Sequence, residues 1–466
     1  MEIKQQVQEK VRAYQEDIIR DIFELVAVDS VKTEAKEGKP FGEGPAEALA
    51  KAEAVAKRLG FKTTNLDNYV VYTHSGEGKE RIGVLGHVDI VPLGEGWSKN
   101  PLGGDRDEKF IYGRGVSDNK GPCVMSLYAL KIVQELGIPL TKEVRVIMGA
   151  NEESGMQCVK HYREIEGGFD YAFSPDASFP VTFGEKGSYR ASFSASKQGK
   201  GTVKLISVKG GNAPNVVCPA CLVVLEAGAE ADKVKDAFRA YLAAHDLHGK
   251  VEDIGAELHL RLEGVAAHAS RPELGVNSIS HMMAFLGTVL EEVPFVNGYN
   301  QCVGMAYNGE NCGVDVSDEY GRLTFNIGMI ATEADMITAT IDIRYPVTIQ
   351  DFAPHSETIA SSFAACGLEI KGARSGKPLF VAPDSPLVKI LSEVYVDITG
   401  DAVNQPATMG GGTYAKNFDN CVAFGAEFVG DENNIHNVDE RVEIEKMLKA
   451  TEIITHALIR LLKHQA

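Results

Sequence analysis

The chain predicts an α/β fold: a mixed open sheet flanked by helices, with an α+β domain inserted into it. Three observations lead there. Over residues 1–186, apolar strand-like runs alternate with amphipathic helical stretches. From 187 to 380 the texture changes to many short alternating strands, such as LHLRLEGVAAHAS (258–270) and LTFNIGMIATEADMITATIDIRYP (323–346). Near Ser385 the α/β texture returns and runs to the end. Residues 1–186 and 381–466 are therefore expected to form one domain, and 187–380 a second one inserted in it. At 466 residues the chain exceeds a single ordinary core, which agrees with two domains.

The elements follow in order. Val7, Val11, Tyr14, Ile18, Ile22 and Leu25 recur at spacings of three and four, predicting one amphipathic first helix. An alanine-rich helix follows from Pro45 to Leu59, with Gly60 as its stop. NYVVYTH (68–74) is strand-like. RIGVLGHVDIVP (81–92) then carries an apolar run suited to a strand buried on both faces. It ends at His87, with Asp89 two residues on and so on the same face. A polar stretch holds one short strand near Phe110–Tyr112. Glycines at 113, 115 and 121 flank Asp118 just before the helix CVMSLYALKIVQEL. EVRVIMGANEE (143–153) is a buried strand ending in Glu152 and Glu153, and FDYAFSPD ends at Asp176. SPLVKILSEVYVDITG and VEIEKMLKATEIITHALIRLL are the closing helices.

Charge and cysteine usage narrow the function classes. Lys and Arg number 47 against 65 Asp and Glu, a net of −18, which disfavours nucleic acid and anionic membrane as partners. Eight cysteines are scattered over the chain and do not read as a disulfide scaffold. Cys218 and Cys221 read as two buried thiols. No apolar leader segment or membrane-length run is visible, so a cytoplasmic setting is expected.

The chemistry-bearing residues are His87-x-Asp89, Asp118-Asn119, Glu152-Glu153, Asp176 and His436, the last in Ile435-His436-Asn437. Alone, each has an ordinary reading: a hydrogen-bonded core histidine, or a solvated acidic pair. Together, His87, Glu152, Glu153 and Asp176 fall at the C-terminal ends of strands, the edge at which open α/β sheets bind ligands. Imidazole and carboxylate are zinc ligands, and a metal-bound histidine needs an acceptor for its other ring nitrogen.

In this set the chain resembles the di-zinc metallopeptidases of the aminoacylase–carboxypeptidase G family. Within it, the likeness is to the PepV-type bacterial dipeptidase branch, whose relatives include carnosinases. The resemblance implies two zinc ions, with manganese or cobalt as substitutes. It gives His87 and Asp176 to one ion, Glu153 and His436 to the other, and Asp118 to both as a bridge. It makes Glu152 the general acid/base and Asp89 the partner of His87. It also implies a cis peptide at Asp118–Asn119. In the inserted domain, the family's lid, it implies that His268 and Asn215 stabilise the oxyanion and that Arg344 binds the substrate carboxylate. The backbone of Gly410–Thr413, Gly411 included, would cradle the same carboxylate. The Asn215 segment reads Asn-Val-Val-Cys-Pro where the branch reads Asn-x-Val-Pro-Asp.

The expected function is hydrolysis of unblocked dipeptides, β-Ala-Xaa included, by a monomeric enzyme with a small-molecule substrate. Two alternatives stand beside it. One is an amidohydrolase of the same family acting on N-acyl amino acids. The other is a non-catalytic peptide-binding protein, whose mark would be loss of the general base or a ligand.

Overall fold

The structure is a computed structural model and describes residues 2–465. The chain divides into two compact units, one running to Gly184 and resuming at Leu379, the other Glu185–Pro378.

The first unit is built on a nine-stranded mixed sheet. Its order is Lys62–Leu66, Val70–His74, Glu143–Gly149, Arg81–His87, Tyr171–Ser174, Cys421–Ala423, Thr182–Glu185 and Leu379–Phe380, with Ala407–Met409 paired to Thr182–Glu185. Arg81–His87 lies parallel to both of its neighbours, Glu143–Gly149 and Tyr171–Ser174. It is buried along almost its whole length, which is why it reads as a continuous apolar run rather than an alternating one. Parallel pairing brings three strand ends to one edge: His87 closes its strand, Glu152 and Glu153 follow Gly149, and Asp176 follows Ser174. The Lys120–Glu135 and Ile444–Lys463 helices pack together beside this sheet. Both present buried apolar faces, Leu127, Leu130 and Val133 from the first and Ile454, Leu458 and Leu461 from the second.

The single first helix expected from the apolar spacing is two helices, Ile3–Ala13 and Gln15–Val26. Tyr14 leaves helical geometry between them, at φ −88° and ψ 1°. Its hydroxyl donates to Glu135 at 2.6 Å and its ring packs on Tyr128, 5.2 Å between centroids. Periodicity survives so small a break, so the pattern alone cannot show it.

The second unit is an eight-stranded sheet with helices. Its order is His248–Ile254, Glu257–Glu263, Ala220–Glu226, Lys204–Gly210, Thr324–Glu333, Met336–Tyr345, Gly187–Ser196 and Glu369–Gly376. Every pairing along it is antiparallel. It has its own core, in which Phe193, Phe285, Phe295, Tyr299 and Phe363 are buried together. The scattered cysteines do not read as a disulfide scaffold, and one pair, Cys302 and Cys366, is joined, 64 residues apart in sequence. They lie at the C-terminal ends of two neighbouring helices, Pro294–Cys302 and Ala353–Ala365, a proximity that only the fold creates. Cys218 and Cys221 are buried thiols. Among the described residues no helix is long and apolar enough to cross a membrane.

Candidate metal centre and active site

The three strand ends deliver their acidic and imidazole groups to one place. His87 is 1% exposed. Its Nε2 lies 2.9 Å from Asp118 Oδ1 and 3.6 Å from Asp176 Oδ1. The other oxygen of Asp118, Oδ2, lies 2.9 Å from His436 Nε2, which is 3.1 Å from Glu153 Oε1. Each carboxylate oxygen of Asp118 thus faces a different imidazole. Two groups of ligand atoms lie within 4.8 Å of one another: His87, Glu152 and Asp176, and His87, Asp118 and Glu153. Glu152 Oε1 is buried with no hydrogen-bond partner.

The surrounding backbone is fixed by side chains. The main-chain oxygen of Asp89 is 3.0 Å from His87 Nδ1, nearer than its carboxylate at 3.5 Å. That carboxylate accepts instead from the amides of Glu152 at 2.9 Å and Glu153 at 3.1 Å. Asp89 therefore orients the histidine and the two glutamates together. Asn119 follows a cis peptide after Asp118. Its amide nitrogen donates to Asp176 Oδ1 at 2.9 Å and Pro175 O at 2.7 Å, and its oxygen accepts from the His87 amide at 3.3 Å. Gly86 makes this possible, because a Cβ there would meet Asn119 Oδ1 at 2.5 Å and Cys123 Sγ at 2.6 Å.

Electrostatics show a site with too many carboxylates for its protein cations. Burial, followed by the charge of Asp176, pushes the Glu152 carboxyl well above its usual range. Burial likewise raises Asp176, to about 7. Burial opposes charge on His87, but Asp176, Asp118 and Asp89 outweigh it and raise its pKa well above the usual histidine range. Hydrogen bonds to Asp118 and Glu153 lift His436 to about 10. A buried cluster that keeps protons in this way is one that cations would displace them from. Carboxylates and imidazoles also suit zinc, manganese or cobalt by donor type. The donor set and its spacing therefore fit a metal centre.

Asp89, Glu152, His87, Asp118, Glu153, Asp176 and His436 all converge here. A pocket of about 130 Å³ adjoins it, lined by Ser117, Asp118, Asp176, Ala426 and Glu427 among others. Gly411 belongs to the same unit, half-buried in the loop after Ala407–Met409. His268, Asn215 and Arg344 lie in the second unit. There the amide of Ala269 donates to Asn215 O at 2.9 Å, next to His268 in sequence. His268 Nδ1 lies 2.8 Å from the Ser270 hydroxyl and 3.2 Å from the Ser270 amide nitrogen, so Ser270 orients the ring. Burial and the charge of Arg344 lower its pKa, so the ring is neutral at pH 7. Arg344 Nε donates to buried Asp342 at 2.7 Å.

The sequence assigns no role to the side chains of Asn119 and Glu427 and does not single out Glu440. Burial raises Glu427 to about 7, beside Asp118 and Asp176. Glu440 is fully buried and bonds the loop that carries Asp118. The available signals were weak: an asparagine after Asp118, a glutamate in Gly425-Ala426-Glu427, and one four residues past His436.

The profile of peptidase family M20/M25/M40 matches residues 83–460. A Bacillus subtilis (strain 168) protein named "Putative dipeptidase YtjP" is 36% identical over 461 residues, covering 96% of this chain and 98% of that protein. "Putative dipeptidase SH1171" of Staphylococcus haemolyticus is 32% identical over 464 residues, 97% of this chain and 98% of that one. The crystal structure of human carnosine dipeptidase 1 shares the fold, with a TM-score of 0.60 at 14% identity over 100% of both chains. The chain belongs to peptidase family M20/M25/M40. It is a hydrolase of the metallopeptidase class.

Proposed function

We propose that the chain is a dinuclear metallo-dipeptidase that hydrolyses unblocked dipeptides. One observation carries the dinuclear part: the two oxygens of Asp118 each stand 2.9 Å from a different histidine, the arrangement of a carboxylate bridging two ions. His87 and Asp176 would hold one ion, and Glu153 and His436 the other. Bound there, two divalent ions would lower the pKa of a water and polarise the scissile carbonyl.

Glu152 is the proton carrier in this reading. Glu153 is committed to His436, whereas Glu152 Oε1 is buried and unpartnered, so it can take the proton of the attacking water. It then gives that proton to the departing amine nitrogen. Asp89 holds the Glu152 amide and so keeps this carboxyl in place. The roles of His268, Asn215, Arg344 and Gly411 belong to the same reading. A His268 ring oriented by Ser270 and kept neutral by burial would serve as a donor for a developing oxyanion. The charge of Arg344, whose Nε and Nη2 are held by Asp342, would draw a terminal carboxylate. The choice of dipeptides rests on the names of the relatives in the Bacillus and Staphylococcus proteins.

The test is metal analysis followed by a panel of free dipeptides, β-Ala-Xaa among them, against N-acetyl and N-succinyl amino acids, each with a chelator control. Chelator-sensitive turnover of free dipeptides is expected. Turnover of the N-acyl compounds alone would replace the dipeptidase reading with the amidohydrolase one. Glu152→Gln should retain its metal and lose about 10²–10⁴-fold in kcat; unchanged turnover would remove Glu152 from the mechanism and no turnover by any variant or wild type would leave a binding protein.

A further inference from the structure

The two loops that carry Asp118 and His436 are tied together by one buried carboxylate. Glu440 is 0% exposed. Its Oε1 accepts from three backbone donors of the Asp118 loop: Gly115 N and Ser117 N at 3.0 Å and Asp118 N at 3.2 Å. Its Oε2 accepts from Arg114 Nη1 at 2.7 Å, and its main-chain oxygen accepts from Gly113 N at 3.0 Å. Arg114 is itself buried, and its guanidinium stacks on Trp97, 5.2 Å from the ring centroid.

Glu440 stands four residues after His436, in a loop that needs holding. Asn434, His436 and Asp439 have φ of 55°, 61° and 56°, a left-handed backbone that side-chain-bearing residues rarely adopt. Asp439 anchors the far side, accepting from Ser98 N at 2.8 Å and Lys99 N at 3.2 Å. The bridge geometry of Asp118 has little slack, since both of its oxygens sit 2.9 Å from histidine nitrogens on different segments. A carboxylate that accepts backbone amides from one segment while belonging to the other fixes the distance between them.

We propose that Glu440 is a positioning residue for the metal centre: acting through Asp118, it keeps the bridging carboxylate in register with His436 and so sets affinity for the second ion. The ion held by His436 and Glu153 depends on this register. The ion at His87 and Asp176 has ligands from strand ends and depends on it less. Glutamine at 440 keeps one acceptor oxygen for four donors and turns an NH₂ group toward the rest. Aspartate is a methylene too short to reach the amides.

This rests on the metal-centre reading above, and one experiment separates the two. The full-length chain is stripped with chelator and titrated with Co²⁺, followed by visible absorption and calorimetry. Wild type is expected to bind two ions; fewer would refute the metal-centre reading and the proposal with it. Glu440→Gln should keep the first affinity within about threefold and weaken the second about 10–100-fold. Its kcat should fall with KM little changed. Leu458→Ala, in the Ile444–Lys463 helix and buried far from any ligand in sequence, serves as the control for lost stability and should bind both ions as wild type does. If Glu440→Gln does not fold, Glu440→Asp carries the same expectation. The proposal is overturned if a folded Glu440 variant binds both ions normally, if Leu458→Ala weakens the second ion equally, or if neither Glu440 variant folds in saturating Co²⁺.

Discussion

Asp89 joins residues that are 63 and 64 positions away, Glu152 and Glu153, to a histidine two positions away. Its carboxylate takes both glutamate amides, so its charge matters twice. Asp89→Asn keeps the shape but offers one acceptor oxygen and one NH₂ group where two amides point. Metal affinity should fall about 10–100-fold, measured by competition with a chromophoric chelator; an unchanged affinity would show that the His87 contact with the main-chain oxygen suffices. Gly86 gives a second prediction at this scale. Gly86→Ala drives a methyl into Asn119 and Cys123, and Asn119 is what links His87 to Asp176. Overpacking of this kind costs about 1–3 kcal/mol, to be read from urea unfolding, with a parallel drop in metal affinity. The side chains that converge on the site were legible because their types and order carry chemistry. Glu440 was not, because three of the four donors to its carboxylate are backbone amides, which no residue type announces.

At the scale of elements, the strand ends were legible and the helix break was not. Arg81–His87 is buried on both faces and so declares itself by an unbroken apolar run. Lys62–Leu66 is an edge strand with no buried residue, and its KTTNL sequence has Leu66 as its one apolar residue and so no apolar alternation. The closing helix, Ile444–Lys463, holds a different kind of information. His456 is 8% exposed on it, and its Nε2 has no hydrogen-bond partner. Burial lowers its pKa to about 4, helped by the charges of Lys4 and Arg460, with Asp397 opposing and Lys449 adding to the shift. The folded protein therefore prefers the neutral ring, while the unfolded chain protonates near 6.5. Its contribution is fully present above pH 6.5 and is lost as pH falls toward 4, about 3 kcal/mol across that window. His456→Leu removes the titration and the orphaned nitrogen. Unfolding free energies from urea titrations at pH 7 and pH 4.5 should differ less for the variant than for wild type, and an equal difference would assign the acid sensitivity elsewhere.

At the scale of the molecule, the change of texture after 186 was visible because antiparallel strands alternate and doubly buried ones do not. Strand order was beyond reach. Cys421–Ala423 pairs with both Tyr171–Ser174 and Thr182–Glu185, joining segments about 250 residues apart. The first unit thus needs both ends of the chain, while the second has a continuous sequence and a core of its own. Two consequences follow from that asymmetry. Residues 185–378 expressed alone should fold and melt cooperatively, whereas residues 1–184 alone, lacking the strand at 421–423 and the helix at 444–463, should not. In the intact chain the proposed metal ligands all belong to the first unit. Ions that bind only its folded form stabilise it by mass action, about 2.7 kcal/mol at a hundredfold excess over Kd. Calorimetry should resolve two transitions, and chelator should lower one of them while the other stays where the isolated 185–378 fragment melts. Equal displacement of both transitions by chelator would mean that the units unfold as one, and the separate core of the second unit would then not be enough to hold it.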